Sequence, residues 1–320
     1  MVDRILVTGA AGFIGFHIAN RLAQNENNHV ICVDNLVRGE DDEHYRKLIS
    51  RPNVTRRDYD LSNQDVVRML PDDIDVIYHM AALNGTQNFY SRPFDVMRFC
   101  ALPTVFLLEK YAGKPIRRFV FAGTSESYAS TVTRFGWEVP TGEDVPLCID
   151  DTSNARWSYA GSKMHGEIAV QTAAHQYGLP FSIIRYHNVY GPRMGDKHII
   201  PDFLMRAKKG VYELFGYEDT RAFLYVDDAV EATVAIATSP ACAGQTINIG
   251  GDNEWRIQDL AELLMRIAGL TGDIELHPSP TGSVKRRAPK IEKLKGLTGF
   301  TEKWTIEDGL RETAKFYLAD

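Results

Sequence analysis

The feature that most constrains the fold is a glycine-rich turn that joins an apolar strand pattern to a helical pattern near the N-terminus. Residues 4–8 (RILVT) form a β-branched apolar run, which predicts a strand. The segment TGAAGFIG follows, and residues 13–23 carry the apolar stripe of a helix. In such a unit Gly9 permits the tight turn, Gly12 lets backbone N–H groups approach a pyrophosphate, and Gly15 lets the helix pack on the strand. The spacing therefore predicts a dinucleotide-binding unit, with the positive end of the helix facing the phosphates.

Further strand patterns follow in the first half of the chain, separated by helical patterns. They lie at residues 29–33, 75–79, 118–122 and 181–185. Apolar strands that alternate with amphipathic helices pair in parallel through right-handed crossovers. We therefore predict an α/β fold built on a Rossmann-type doubly wound parallel sheet.

The pattern becomes less regular after about residue 190, which predicts a second, smaller part. Residues 1–189 are expected to form the dinucleotide-binding domain, and residues 221–250 to return to its sheet through a late strand. Residues 190–220 and 251–320 are expected to form a smaller C-terminal α/β cap that binds the substrate.

Charge and composition exclude several classes of protein. The 320 residues carry a net charge of −6 with acids and bases interleaved, which argues against nucleic acid as a partner. No apolar stretch approaches the roughly 20 residues that a membrane span needs. The four cysteines are scattered without a CxxC pair or metal-ligand spacing, so we expect reduced thiols, no metal and a cytoplasmic location.

Acidic residues that follow the second and third strands indicate which dinucleotide is bound. Asp34 and Asn35 stand at the end of the second strand, where a carboxylate accepts hydrogen bonds from the adenosine ribose. This position favours NAD over NADP, although Arg38 nearby leaves NADP open. Asp60 is placed either to contact the adenine or to form a simple turn.

A tyrosine and a lysine at helical spacing supply a candidate acid–base pair. Tyr159 and Lys163 are four residues apart, so both side chains lie on one face of a predicted helix. An ammonium beside a phenol lowers the pKa of the phenol, which prepares it to take a proton from a hydroxyl. Thr124 follows the strand at 118–122, where its hydroxyl could meet the same substrate oxygen.

These motifs together resemble the extended short-chain dehydrogenases/reductases, and more narrowly the NAD-dependent nucleotide-sugar epimerase/dehydratase family, of which UDP-glucose 4-epimerase is a type. The resemblance extends to residues 185–193 (RYHNVYGPR), 220–228 (TRAFLYVDD) and 285–289 (KRRAP). It implies an enzyme with NAD as cofactor, a nucleotide sugar as substrate, and a homodimer formed by the helices around residues 93–111 and 159–177.

The resemblance also implies the roles of individual residues. Tyr159 would deprotonate the sugar 4-hydroxyl, Thr124 would orient that oxygen, and Lys163 would bind the nicotinamide ribose. The implied cofactor site comprises Gly9, Gly12, Phe13, Ile14, Gly15, Asp34, Asn35, Asp60, Leu61, Met80, Ala81, Ala82, Tyr159 and Lys163. The implied substrate site comprises Asn84, Ser125, Asn188, Arg193, Arg221 and Arg287.

The fate of the resulting 4-keto sugar is left open by the sequence. Return of the hydride to the other face gives a 4-epimer, which is the leading expectation. Glu126 stands two residues after Thr124, in a Thr-Ser-Glu stretch that also resembles GDP-mannose 4,6-dehydratase and the UDP-glucuronate decarboxylases. It would move the C5 proton in a dehydratase or decarboxylase, or only order its loop. Net C4 oxidation and a non-catalytic dinucleotide-binding protein are the remaining alternatives.

Overall fold

The structure, a computed structural model, describes residues 3–279 and 284–319. The strands are β1 (Asp3–Thr8), β2 (Asn28–Asp34), β3 (Val54–Asp58), β4 (Val76–His79), β5 (Arg118–Thr124), β6 (Phe181–Tyr186), β7 (Val189–Tyr190), β8 (Glu213–Phe215), β9 (Thr220–Ala222), β10 (Leu224–Tyr225), β11 (Gln245–Ile249), β12 (Glu254–Arg256), β13 (Glu275–His277) and β14 (Arg286–Arg287). The helices are α1 (Phe13–Leu22), α2 (Glu43–Ile49), α3 (Gln64–Arg68), α4 (Thr86–Ser91), α5 (Pro93–Tyr111), α6 (Ala129–Phe135), α7 (Trp157–Tyr177), α8 (Ile199–Ala207), α9 (Val226–Thr238), α10 (Ile257–Ala268), α11 (Glu292–Thr298) and α12 (Ile306–Leu318).

A seven-stranded parallel sheet organises the molecule, with strand order β3-β2-β1-β4-β5-β6-β11. The chain adds β2 and β3 on one side of β1 and then crosses to add β4 on the other side. The strand order therefore reverses between β1 and β4, and ligands of such sheets bind outside the carboxyl ends of the strands at that point. The expected α/β fold with a doubly wound parallel sheet is confirmed.

Strand register brings the predicted motifs to one edge of the sheet. Thr8 at the end of β1 is paired with Val33 of β2 and with His79 of β4. Thr124 at the end of β5 is paired with Tyr186 of β6. The segments that follow these strands are consequently neighbours, although they are far apart in the sequence.

Apolar side chains cover both faces of the sheet. Val7 and Val30 belong to a core that includes α1 and α9, whereas Leu6 and Ile31 belong to a second core with α5 and α7. Neighbouring residues of one strand thus enter opposite cores, as the two-residue period of a strand requires. Burial on both faces explains why these strands are continuous apolar runs in the sequence.

The C-terminal part is smaller and rejoins the sheet once. β11 pairs in parallel with β6, which places the end of the segment 221–250 in the central sheet. The remainder contains the small sheets β12-β9-β14 and β13-β8, with α8, α10 and α12 packed beside them. Leu260 of α10 belongs to the same apolar core as Val30, so the two parts of the chain share one interior. Because no separate core of described residues marks where one part ends, the predicted domain boundaries stay a prediction. Within the described ranges, no helix is long and apolar enough to span a bilayer.

Candidate active site

A cleft of about 400 Å³ opens at the carboxyl ends of the strands, at the point where the strand order reverses. The predicted cofactor and catalytic residues all line it, and so do four of the six predicted substrate residues, namely Asn84, Ser125, Asn188 and Arg287. The described lining does not include Arg193 or Arg221. Strand register and short connecting turns bring together the motifs that directly follow a strand of the sheet, whereas Tyr159 and Lys163 reach the cleft from helix α7.

The glycine-rich turn has the shape that a dinucleotide requires. Gly9 has φ +69°, and a Cβ there would approach the backbone N of Ala81 to 2.8 Å. A Cβ on Gly15 would lie 2.1 Å from the carbonyl oxygen of Gly9, so α1 packs on the turn only because this residue has no side chain. Gly12 begins α1 without a side-chain cap, which leaves the first N–H groups of the helix for an anionic ligand.

The carboxylate of Asp34 holds the turn from the end of β2. It accepts hydrogen bonds from the backbone N of Ala11 (3.0 Å) and of Leu36 (2.8 Å). Burial raises the pKa of Asp34, and these hydrogen bonds oppose that rise. Asp60 lines the cleft while its carboxylate accepts from the backbone and hydroxyl of Ser62 at 2.9 and 2.7 Å, so it forms the turn that the sequence also allowed.

Lys163 is a buried cation directed into the cleft. It is 2% exposed, and its ammonium lies 5.0 Å from the ring centre of Phe121. Among the described residues none forms a hydrogen bond or ion pair with it. A buried ammonium without an anionic partner suits the hydroxyl oxygens of a bound ribose. Together with the glycine cradle and Asp34, it makes the cleft fit a dinucleotide.

Tyr159 and Thr124 form a hydrogen bond in the cleft, as the sequence predicted, and several groups act on the pKa of the phenol. Burial raises the pKa of the Tyr159 phenol and Cys100 adds to the rise, whereas Arg38 and the hydrogen bond with Thr124 lower it. The Lys163 ammonium lies 5.9 Å from the Tyr159 ring centre and 5.0 Å from the ring centre of Phe121. The expected lowering of the Tyr159 pKa by Lys163 stays a prediction.

Glu126 lies between two arginines at the end of the cleft beside Thr124. One carboxylate oxygen is 2.7 Å from Arg287 and the other is 2.8 Å from Arg156. Burial alone would raise the pKa of Glu126, but the two guanidinium groups lower it to about 2. The carboxylate is therefore ionised at neutral pH, and the three side chains carry one excess positive charge.

Two arginines expected in the substrate site have protein partners. The buried Arg193 side chain lies 2.7 Å from Asp42 and over the ring of Phe16, where it supports the glycine-rich turn from outside the cleft. Arg221 donates to two backbone carbonyls and lies 3.3 Å from Asp219. Burial and the nearby Arg287 lower the pKa of Arg221 to about 10, so it still contributes positive charge behind the substrate end.

Several residues that line the cleft lie outside the sets of predicted site residues. Phe89 of α4 stacks on Tyr159 with ring centres 5.1 Å apart. Phe99, Pro103, Tyr186 and His198 also line the cleft and are apolar or isolated residues whose sequence neighbourhood carries no chemical signal.

A cluster outside the cleft has side chains of the metal-binding type. Glu213, Glu275 and His277 bring their ligand atoms within 4.8 Å of one another on β8 and β13. Glu275 is exposed and already lies 3.4 Å from His277. This surface ion pair therefore does not indicate a metal site.

Comparison with known proteins agrees with this geometry. Residues 5–250 match the model of the NAD dependent epimerase/dehydratase family. The chain is 32% identical to UDP-N-acetyl-alpha-D-glucosaminuronate decarboxylase of Bacillus cytotoxicus, over 99% of this chain and 98% of that protein. It is 29% identical to UDP-glucuronic acid decarboxylase 1 of Xenopus tropicalis, over 98% of this chain and 72% of that protein.

Solved structures of 4-epimerases have the same fold. UDP-glucuronic acid 4-epimerase of Bacillus cereus, in complex with UDP-glucuronic acid and NAD, superposes with a TM-score of 0.87, at 27% identity over 98% of both chains. UDP-glucose 4-epimerase of Thermotoga maritima, with UDP-glucose, superposes with a TM-score of 0.86 at 27% identity, over 98% of both chains. The chain is thus an enzyme that uses NAD, and it belongs to the NAD dependent epimerase/dehydratase family.

Proposed function

We propose that this enzyme removes carbon dioxide from a UDP-linked uronic acid through a 4-keto intermediate. The observation that carries the proposal is the group formed by Arg156, Glu126 and Arg287 beside Thr124 and Tyr159. The UDP-uronate decarboxylases among its relatives, which match nearly the whole chain, support the choice of substrate. Decarboxylation is one of the alternatives that the sequence left open, and we place it before 4-epimerisation.

The excess positive charge of this group suits a second carboxylate. Arg287 lines the cleft, and its guanidinium matches a carboxylate in shape and hydrogen-bonding geometry. A substrate carboxylate held there competes with Glu126 for Arg287 and adds a like charge nearby. Both effects raise the pKa of Glu126 from about 2 toward the range in which it takes a proton from solvent.

The remaining residues position and protonate the sugar. Thr124 orients the 4-hydroxyl oxygen, and Tyr159 accepts its proton and later returns it to the same oxygen. Lys163 holds the ribose of the cofactor, and NAD supplies the hydride acceptor and donor at C4. The positive charge of the oxidised cofactor also favours the phenolate form of Tyr159.

Loss of carbon dioxide follows from the position of the ketone. With C4 oxidised, the C5 carboxylate is β to a carbonyl, so the electrons of the C5–C6 bond can move to the C4 oxygen as carbon dioxide leaves. Tyr159 stabilises that oxygen by a hydrogen bond, and protonated Glu126 delivers a proton to C5. One proton from solvent is consumed, and the product is a nucleotide-linked pentose.

The test is proton NMR of the enzyme with NAD and UDP-glucuronate, with UDP-N-acetylglucosaminuronate, UDP-glucose and UDP-galactose in parallel. We expect carbon dioxide release and a pentose anomeric signal from a uronate only. Tyr159→Phe should abolish turnover and leave NAD binding intact. Glu126→Gln should slow the decarboxylation by about 100-fold or more, whereas the exposed ion-pair variant Glu138→Gln should behave as wild type.

Other products would replace the proposal. A 4-epimer of the uronate without carbon dioxide would assign 4-epimerisation, which the fold shared with the Bacillus cereus enzyme favours as the second candidate. Turnover of neutral sugars alone would show that Arg287 does not recognise a carboxylate. Arg287→Gln separates the cases, because it should raise the KM for a uronate by about 10-fold or more and leave that for a neutral sugar little changed.

A further inference from the structure

The two members of the Glu126–Arg287 ion pair belong to different parts of the molecule. Glu126 lies in the turn that follows β5 of the central sheet, whereas Arg287 lies on β14, which pairs with β9 in a small sheet. Because the two residues are far apart in the sequence, contacts between the two sheets have to fix the 2.7 Å distance between their charged groups.

Asn248 makes such contacts from the carboxyl end of β11. It is fully buried, and its side-chain oxygen accepts a hydrogen bond from the Tyr128 hydroxyl at 2.9 Å, in the turn that contains Glu126. Its side-chain nitrogen donates to the backbone oxygen of Lys290 at 3.3 Å, in the segment that follows Arg287. One amide thus joins the two segments that carry the ion pair.

The neighbours of this amide leave it one orientation. The nitrogen faces the backbone oxygens of Thr141 at 3.1 Å and of Lys290 at 3.3 Å, and a carbonyl oxygen can only accept. The Tyr128 hydroxyl accepts from Arg185 at 2.7 Å, so its own hydrogen is donated to the Asn248 oxygen. A reversed amide would place its oxygen against both carbonyl oxygens, so these hydrogen bonds fix its orientation.

The backbone beside this amide packs closely on the same segment. A Cβ on Gly250 would lie 2.6 Å from Cγ of Pro289, so the close approach requires a glycine. The backbone nitrogen of Thr141 donates to the Ala288 oxygen at 2.8 Å, and its oxygen accepts from the Lys290 nitrogen at 2.9 Å. The segment that follows β14 is therefore held on two sides.

We infer that Asn248 is a positioning residue that sets the distance between Glu126 and Arg287. It lies outside the described lining of the cleft, so it acts on a bound substrate through Arg287. Without the amide, the turn after β5 and the segment after β14 lose a direct link, and Arg287 moves away from Glu126. The consequence for catalysis rests on the proposed function, in which Arg287 recognises the carboxylate of a uronic acid.

Crystal structures of the full chain with NAD test the positioning role directly. In Asn248→Ala we expect the distance between the Glu126 carboxylate and the Arg287 guanidinium to lengthen from 2.7 Å to beyond about 4 Å, the limit of an ion pair. Tyr128→Phe removes one hydroxyl from the core and the link to the turn, and it should lengthen the same distance. This second variant carries the test if Asn248→Ala does not fold.

Ser182→Ala is the matched control. Ser182 is as buried as Asn248, and its hydroxyl accepts from Arg118 and donates to the carbonyl of Cys242, both at 2.7 Å. It lies near the amino end of β6, at the edge of the sheet opposite the cleft. Its loss should therefore leave the ion-pair distance unchanged.

Steady-state kinetics adds a readout that a general loss of stability would not give. We expect Asn248→Ala and Tyr128→Phe to raise the KM for UDP-glucuronate by about 10-fold and to leave the dissociation constants of NAD and UDP-glucose unchanged. Ser182→Ala should keep the wild-type values of all three constants. A selective loss for the uronate follows only if the variants act through Arg287.

The two measurements separate failure of this inference from failure of the proposed function. An unchanged ion-pair distance in Asn248→Ala and Tyr128→Phe, or an equal change in Ser182→Ala, would overturn the positioning role whatever the reaction is. A wild type that does not decarboxylate a uronate would instead reject the proposed reaction. In that case a lengthened distance confined to Asn248→Ala and Tyr128→Phe would still support the role of Asn248.

Discussion

Glu126 shows how residues remote in sequence change the chemistry of a local motif. The sequence places Glu126 two residues after Thr124, and the structure confirms that both line one cleft. Its partners Arg156 and Arg287 lie in other segments, so their effect on its pKa was not predictable from the local stretch. The same limit applies to Tyr159, whose spacing to Lys163 is local but whose pKa depends on burial and on Arg38. Most of the residues that meet in the cleft were named from the sequence, whereas their electrostatics required the fold.

The lowered pKa of Glu126 predicts how stability depends on pH. The pKa of this group is about 2 in the folded chain, against an ordinary value of 4.5 that applies to the unfolded chain. The unfolded chain therefore binds the proton first, so the stabilisation is fully present above pH 4.5 and is lost as the pH falls toward 2. Between pH 6 and pH 4, Glu126 should account for about 1 kcal/mol of lost unfolding free energy.

Urea unfolding of wild type and Glu126→Gln at pH 6 and pH 4 measures this contribution. The variant should be less stable at pH 6, and its stability should fall less on acidification by about 1 kcal/mol. Glu138→Gln is the matched control, because Glu138 forms an exposed ion pair with Lys290. An identical pH dependence in wild type and Glu126→Gln would mean that the two arginines do not lower the pKa of Glu126 in solution.

At the scale of elements, strands buried on both faces were predicted and exposed ones were not. β1, β2, β4, β5 and β6 lie within a residue or two of the apolar runs that predicted them. β3 (Val54–Asp58) was missed because it is an edge strand of sequence VTRRD whose side chains are mostly in contact with solvent. The strands β12 to β14 are two or three residues long and carry no periodic signal. Short and edge elements depend on tertiary pairing, so the local sequence does not specify them.

Helix α7 carries Tyr159 and Lys163, and a buried ion pair fixes it to the sheet. Glu167 lies one turn after Lys163, and its carboxylate oxygens are 2.9 and 2.6 Å from Arg185 of β6. Both side chains are buried, at 3% and 7% exposure. Arg185 also donates to the hydroxyl of Tyr128, 2.7 Å away in the turn that follows Thr124. The pair therefore sets the position of α7 relative to the turn that follows Thr124.

Removing one partner of this pair should be costly, because it leaves a buried charge without compensation. We expect Glu167→Ala to lower the unfolding free energy by about 3–5 kcal/mol. The double variant Glu167→Ala/Arg185→Met should lose less than the sum of the two single variants. Asp65→Ala is the control, since Asp65 and Arg68 are 83% and 65% exposed and their ion pair contributes little. Additive losses in urea unfolding would contradict the coupling of Glu167 and Arg185.

At the scale of the whole molecule, α5 and α7 pack side by side and still expose apolar side chains to solvent. Phe94 and Met97 on α5 are 77% and 49% exposed, and Ile168 on α7 is 61% exposed. Large apolar side chains exposed on adjacent long helices mark a surface for association. These exposed side chains agree with the homodimer expected from the family resemblance, with α5 and α7 as its interface. The homodimer stays a prediction.

This interface is tested by placing a charge in it. We expect wild type to sediment at micromolar concentration with twice the mass of one chain. Met97→Glu should sediment as a monomer, because an unpaired carboxylate in an apolar interface loses its hydration without gaining a partner. Met205→Glu introduces the same change at a 38% exposed methionine of α8, outside the proposed interface, and should remain dimeric. A monomeric wild type, or dissociation caused by Met205→Glu and not by Met97→Glu, would assign the exposed residues of α5 and α7 to another role.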